Sequence, residues 1–293
     1  MIKKGLILGK NGQLSRCLWD EIKKNNTVDD FTFLSRDEIN PIKIDFLQKM
    51  IKQHHPSFIV NCAAYTDVEK AEEDEENAYQ VNALLPKYLG EICHDLNIPI
   101  IHISTDYVFD GTKEEAYLPN DPKKPLSVYG RTKSQGEDFL KATCPKSYML
   151  RTSWVYSPYG RNFFNTIYKL LQNQPQLKVI SDQVGAPTSA HELARSILAL
   201  IKNQEAYPFG IYHISGSGKT SWFGFTKKIQ ELLLTYGVDA HANIEPILTK
   251  DYPTRANRPL NSQLHCETFH LPDWQISLKE VCSLVIHQCK SSL

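Results

Sequence analysis

Apolar residues along this 293-residue chain follow two rhythms. Short aliphatic and β-branched runs read as buried strands: Gly5-Leu-Ile-Leu-Gly9, Phe31-Thr-Phe-Leu34, Phe58-Ile-Val-Asn-Cys-Ala-Ala64, the run from Ile100 to Phe109, and the run from Tyr148 to Tyr156. Between them the apolar spacing is helical, as in Leu14, Leu18 and Ile22, and again in Val81, Leu84, Leu85, Leu89, Ile92 and Leu96. Pro86 interrupts the second stripe and predicts a kink or a helix restart there. Strands alternating with helices over residues 1–155 predict an α/β fold with a doubly wound parallel sheet. Beyond that the pattern is less regular. Lys178–Ser181 and Gly210–Ile214 read as short strands returning to that sheet or a neighbour, among helices at Phe163–Leu171, His191–Ile201 and Trp222–Leu234. The expected division is a dinucleotide-binding domain at 1–155 and a smaller substrate-binding lobe at 156–293, with segments at about 176–215 rejoining the first.

Polar residues gather where strands end. Parallel strands deliver functional groups at their carboxyl ends, where Ser104, Thr105 and Asp106 stand. Pro119 to Pro125 reads as an exposed loop, and then Ser127 offers a cap for a helix carrying Tyr129 and Lys133. Four residues apart, that phenol and that amine share one helical face. A nearby ammonium lowers a phenol's pKa from about 10, and the phenol can then exchange a proton with a carbonyl or alcohol oxygen. A Tyr and a Lys at this spacing are commonly plain surface residues. Their weight here comes from a preceding Gly-rich turn and a strand ending in Ser-Thr-Asp. Gly130 and Gly136 cost that helix stability, which a close approach by cofactor or substrate would explain.

The turn Gly9-Lys-Asn-Gly-Gln-Leu-Ser15 lies between the first strand and the first helix, where backbone N–H groups meet phosphate. Its GxxGxxS spacing departs from the GxGxxG fingerprint, with Ser15 small enough for the third glycine's packing role. Gly9, Asn11, Gly12, Gln13 and Leu14 are therefore cofactor candidates in a Rossmann-like domain. Ser35 and Arg36 end the second strand where the adenosine ribose is met, and an arginine there favours NADPH over NADH, although NADH stays open. Asp45 is a candidate for the adenine end. The small residues Ala63 and Ala64, with Tyr65, leave room for a cofactor backbone. The acidic stretch Asp67–Glu76 reads as a solvated helix start.

Composition narrows the classes. Lys plus Arg equals Asp plus Glu at 33 each, so nothing favours nonspecific nucleic-acid binding. Seven scattered cysteines without a CxxC pair suit a reduced cytoplasmic protein. No apolar run is long enough for a membrane span, and the N-terminus enters a strand with no signal peptide. Gly216-Ser-Gly-Lys-Thr220 imitates the end of a P-loop, but His213 occupies the first glycine's place. The ten histidines show no metal spacing, and no catalytic metal is expected.

Taken in order, Gly9–Leu14, Asn61–Asp67, Ser104–Phe109, Pro125–Lys133, Arg151–Tyr156, Asp182–Thr188 and Arg258-Pro259 resemble the extended short-chain dehydrogenase/reductases, specifically the dTDP-4-dehydrorhamnose reductases, across nearly the whole chain. The resemblance implies reduction of the C4 ketone of a dTDP-linked 4-keto-6-deoxyhexose by a nicotinamide cofactor, on the way to surface polysaccharide. Tyr129 would give the proton, Lys133 would tune it and hold the nicotinamide ribose, and Thr105 would orient the keto oxygen. Asp106, Trp154 and Arg258 would contact the sugar nucleotide, Arg258 at the diphosphate. Some members dimerise through Mg²⁺ held by glutamates. Cys17 and His191 match those positions and are poor ligands for a hard cation, so a homodimer here would not be Mg-bridged. Two other readings remain open: reduction of a different dTDP-4-keto-6-deoxysugar, and a non-catalytic role like that of the β subunit of methionine adenosyltransferase.

Overall fold

The structure is a computed structural model that describes residues 4–39 and 44–291, with the side chains of 288–291 left aside. Its centre is a six-stranded parallel sheet in the order β10-β5-β4-β3-β1-β2. The strands are β1 (Gly5–Leu8), β2 (Phe31–Leu34), β3 (Phe58–Asn61), β4 (Ile100–Thr105), β5 (Ser147–Thr152) and β10 (Gly210–His213). The order reverses at β1, which has β2 on one side and β3 on the other. That reversal opens a crevice above the carboxyl ends of β1 and β3, where open α/β sheets take ligands.

Alternation along each strand feeds two cores. Ile7, Val60, Ile101 and Leu150 point to one face, against helices α1 (Gln13–Lys24) and α9 (Ala190–Lys202). Leu6, Leu8, Ile59, Ile100 and Met149 point to the other, against α3 (Ile44–His54), α6 (Leu85–Asp95) and α7 (Val128–Thr143). A third core gathers α8 (Phe163–Asn173), α10 (Trp222–Thr235) and α11 (Trp274–Ser291) around the two-stranded sheet of β7 (Gln176–Ile180) and β12 (Asn243–Ile247). Of the later strands, β10 joins the main sheet and β7 does not.

Three local expectations change. The strand read from Ile100 to Phe109 stops at Thr105 and turns into a 3₁₀ segment, Asp106–Val108, whose first N–H groups include Tyr107 N bonded to Thr105 Oγ1 at 3.2 Å. Pro86 breaks nothing sharply. The helical backbone runs on through a π-helical turn at Gln80–Leu84 into α6, and that widened turn just before Pro86 accommodates the ring and its missing N–H without a break. The acidic stretch is no mere solvated face. Glu72 accepts from Val128 N at 2.8 Å, Asp74 accepts from the Tyr65 hydroxyl at 3.0 Å, and Glu69 pairs with Arg258 at 2.5 Å. Its carboxylates brace the start of α7 and a C-terminal loop.

Candidate active site

The strand-end groups converge as their sheet positions require. Gly9 follows β1 at φ +92°, and a Cβ built there would stand 2.9 Å from Ala63 N. Only glycine permits that turn. Gly12 caps α1 without a side chain, so the first N–H groups of the helix have no competing side-chain acceptor. These features fit a dinucleotide diphosphate: a tight cradle beside Ala63 and a helix N-terminus above it. The Gln13 side chain is already engaged, accepting from Ser157 Oγ and Asn162 Nδ2 and donating to Val155 O, each at 3.2 Å. Asn11 is exposed, Leu14 is core, and Ser15 is fully buried, as the helix-packing role requires. Ser35 donates from its N–H to Glu38 at 2.7 Å, a capping arrangement for the short helix α2 (Arg36–Ile39) that Arg36 opens. Asp45 is not brought to this group; it lies exposed on a shallow depression formed by α3 itself with His55. Tyr65 lines the crevice from β3, its N–H bonded to Asn82 Oδ1 at 2.8 Å, and Ala64 precedes it half-buried.

Ser127 Oγ accepts from Gly130 N at 3.2 Å and starts α7, which puts Tyr129 in its first turn and Lys133 in its second. Gly130 and Gly136 answer to protein backbone and not to a ligand: a Cβ at Gly130 would strike Tyr107 O, and one at Gly136 would strike Asn82 O. The Tyr129 ring meets Tyr107 edge-on at 5.4 Å. Burial pushes its phenol above its ordinary range, the neighbouring Asp106 carboxylate adds to that, and the Thr105 hydroxyl opposes it. The expected lowering by Lys133 is not realised. That amine turns down into the sheet, donating to Ile103 O at 2.7 Å and lying 3.2 Å from His102 Nε2. A phenol raised in this way keeps its proton at neutral pH.

Thr105 Oγ1 donates to Asp106 Oδ1 at 3.0 Å, while Asp106 Oδ2 is buried without a partner. Trp154 sits at φ +49° between β5 and β6 (Val155–Tyr156), a strained backbone for a bulky residue. Its indole stacks on Trp222 at 3.5 Å and packs against Gly185. Arg258 gives Nη2 to Glu69 and keeps a buried Nε with no partner. The sequence profile of the RmlD substrate binding domain family matches residues 3–285. The chain belongs to this family. A dTDP-4-dehydrorhamnose reductase from Sinorhizobium fredii is 36% identical over 285 residues, spanning 94% of this chain and 95% of its own. The crystal structure of one from Clostridium acetobutylicum superposes with a TM-score of 0.90 at 36% identity, covering 97% of this chain and 99% of that one. Another from Bacillus anthracis, in complex with NADP, gives a TM-score of 0.88 at 31% identity over 96% of this chain and 99% of that one.

Other polar residues that pattern reading passed over pack beneath this group. Arg151 and Glu137, both 1% exposed, form a two-bond pair at 2.7 and 2.8 Å beneath Ser104, which donates to Glu137 at 2.5 Å. Asn82 Nδ2 donates to Thr132 Oγ1 at 3.2 Å and ties the π-helical turn to α7. Two signals in the sequence mark them: polar His102 and Ser104 alternate inside an otherwise apolar strand, and Lys133 and Glu137 repeat one helical turn apart. Cys17 is fully buried, its thiol pushed up to about 12 chiefly by burial, and His191 is buried beside Glu21. Among the described residues no helix is long and apolar enough to cross a membrane.

Proposed function

We propose that the protein reduces the C4 ketone of dTDP-4-dehydro-L-rhamnose to the alcohol of dTDP-L-rhamnose, with NADPH as reductant. The observation that carries this is the joint placement of Thr105, Tyr129 and Lys133 at the carboxyl edge of β4 in a chain of the RmlD family. Bound NADPH supplies the hydride. Asn11, Gln13 and Leu14 would offer backbone N–H groups to its diphosphate, while Gly9 and Gly12, whose own N–H groups go to Leu34 O and Gly9 O, shape the turn that admits it. Ser35 and Arg36 meet its adenosine ribose, while Ala63, Ala64 and Tyr65 wall the crevice. Tyr129 gives its phenol proton to the C4 oxygen, and Thr105 holds that oxygen by a hydrogen bond, shifting its own donor from Asp106. Lys133, one turn further along α7, would hold the nicotinamide ribose. Asp106 and Trp154 bound the sugar. Arg258 offers its unpartnered Nε to the diphosphate of the substrate. Residues 156–293 act mainly as the sugar-nucleotide lobe. The buried thiol of Cys17 and buried imidazole of His191 do not form a Mg²⁺ bridge between copies.

Incubation with the keto-sugar nucleotide tests this reading. Consumption of NADPH matched mole for mole by dTDP-L-rhamnose, identified by NMR, supports it. A panel of other dTDP-4-keto-6-deoxysugars, run with NADPH and NADH, would move the assignment if another ketone were turned over faster. Absence of turnover with every ketone would remove it.

A further inference from the structure

The Lys133 amine rests on His102, an imidazole that the reaction as described does not use. A strand rises about 3.4 Å per residue and a helix about 1.5 Å, so two residues of β4 span nearly the same length as four of α7. His102 and Ser104 therefore face Lys133 and Glu137 in register, and the bonds follow that pairing. His102 is fully buried, with Nδ1 3.1 Å from Asn61 Nδ2 and Nε2 3.2 Å from Lys133 Nζ. A third bond decides which way the Asn61 amide points: its Oδ1 accepts from Ala63 N at 3.1 Å. Asn61 Nδ2 is then the donor to His102, and Nδ1 must be the bare nitrogen. A neutral imidazole so held carries its proton on Nε2, aimed at the amine. An ammonium facing that N–H finds no acceptor. An uncharged amine accepts it through its lone pair while still donating to Ile103 O at 2.7 Å.

We propose that His102 is a positioning residue for Lys133: locked by Asn61 in the Nε2–H tautomer, it donates to the amine, fixes its place beneath Tyr129 and favours its uncharged form. Burial supports this. It holds His102 well below the ordinary histidine range and pushes Lys133 down to about 8, against the opposing pull of Glu137. The other groups facing the pair are quiet. Glu137 on α7 is committed to Arg151 of β5 and to Ser104, with Lys123 3.4 Å away. The Cys62 thiol, after β3, is pushed up to about 12 and stays neutral. Among the described residues only Ile103 O and His102 bond to Nζ.

The proposal rests on the reductase reading only in placing Lys133 at the working site, and its test has one arm that needs no turnover. Protein labelled with ¹⁵N-histidine, compared with His102→Gln to assign the signal, is expected to show residue 102 neutral and protonated on Nε2 from pH 6 to 9. Protonation on Nδ1, or an imidazolium, would overturn the proposal even if the enzyme reduces its ketone. The second arm follows NADPH affinity against pH. Gln can place its amide N–H where Nε2 stood, and Asn reaches only the Nδ1 position. The limb assigned to Lys133 should move up by about one pH unit in His102→Asn and stay near its original place in His102→Gln. A limb that moves in neither variant would contradict the proposal; should His102→Asn fail to fold, the tautomer of the unaltered protein decides.

Discussion

At the scale of residues, the site stores its tension in buried charge. Burial pushes the Asp106 carboxyl up to about 6, against the hydroxyls of Ser262 and Thr105. The folded value lies above the unfolded reference of about 3.9, so the contribution to stability is complete below that reference and is lost as pH rises through about 6. Asp106→Asn removes the cost: urea midpoints should show the variant about 2–3 kcal/mol more stable than the parent at pH 8 and about equal at pH 4, with a raised KM for the sugar nucleotide. Glu137→Leu acts in the opposite sense. It leaves the Arg151 guanidinium buried and unpaired, and should cost about 3–5 kcal/mol by denaturant titration. The placement of Thr105 at the end of β4 and of Tyr129 and Lys133 on successive turns of α7 was legible because side-chain type and spacing carry it. The phenol's raised proton affinity was not, because burial in the folded site causes it, and the Lys133 amine, held by Ile103 O and His102, does not offset it.

At the scale of elements, strand and helix limits were legible to within a residue or two for α8, α9 and α10, where apolar spacing is strong. The end of β4 was misread because Val108 and Phe109 continue the apolar run while the backbone has already entered a 3₁₀ turn, and both pack instead with Tyr117 and Leu264. The glycines of α7 were misassigned for a related reason: the backbone they admit comes from Tyr107 and Asn82, remote in sequence. Gly136→Ala tests this. Helix propensity alone predicts a gain of about 1 kcal/mol, whereas the clash with Asn82 O predicts a net loss of about 1–3 kcal/mol. Thermal melts monitored by circular dichroism distinguish the two signs. A fall in kcat should accompany the loss, since α7 carries both Tyr129 and Lys133.

At the scale of the whole molecule, the doubly wound sheet could be read from alternation alone, but the ties that close the cleft could not. Arg258 meets Glu69 across 189 residues of sequence, and Arg255 pairs with Glu73 beside it. Neither partner shows a pattern that points to the other. Glu69→Gln with Glu73→Gln should loosen this strap, raising hydrogen exchange across residues 252–260 and raising KM for the sugar nucleotide severalfold with little change in kcat; unchanged exchange would mean the ion pairs hold nothing. The central claim is that Tyr129 is the acid at the ketone oxygen. A single-turnover measurement of NADPH oxidation by dTDP-4-dehydro-L-rhamnose, parent against Tyr129→Phe, tests it most directly. The expected result is a rate lowered by about 10²–10⁴-fold with NADPH affinity held within a few-fold; a variant that reduces the ketone at the parent rate would contradict it.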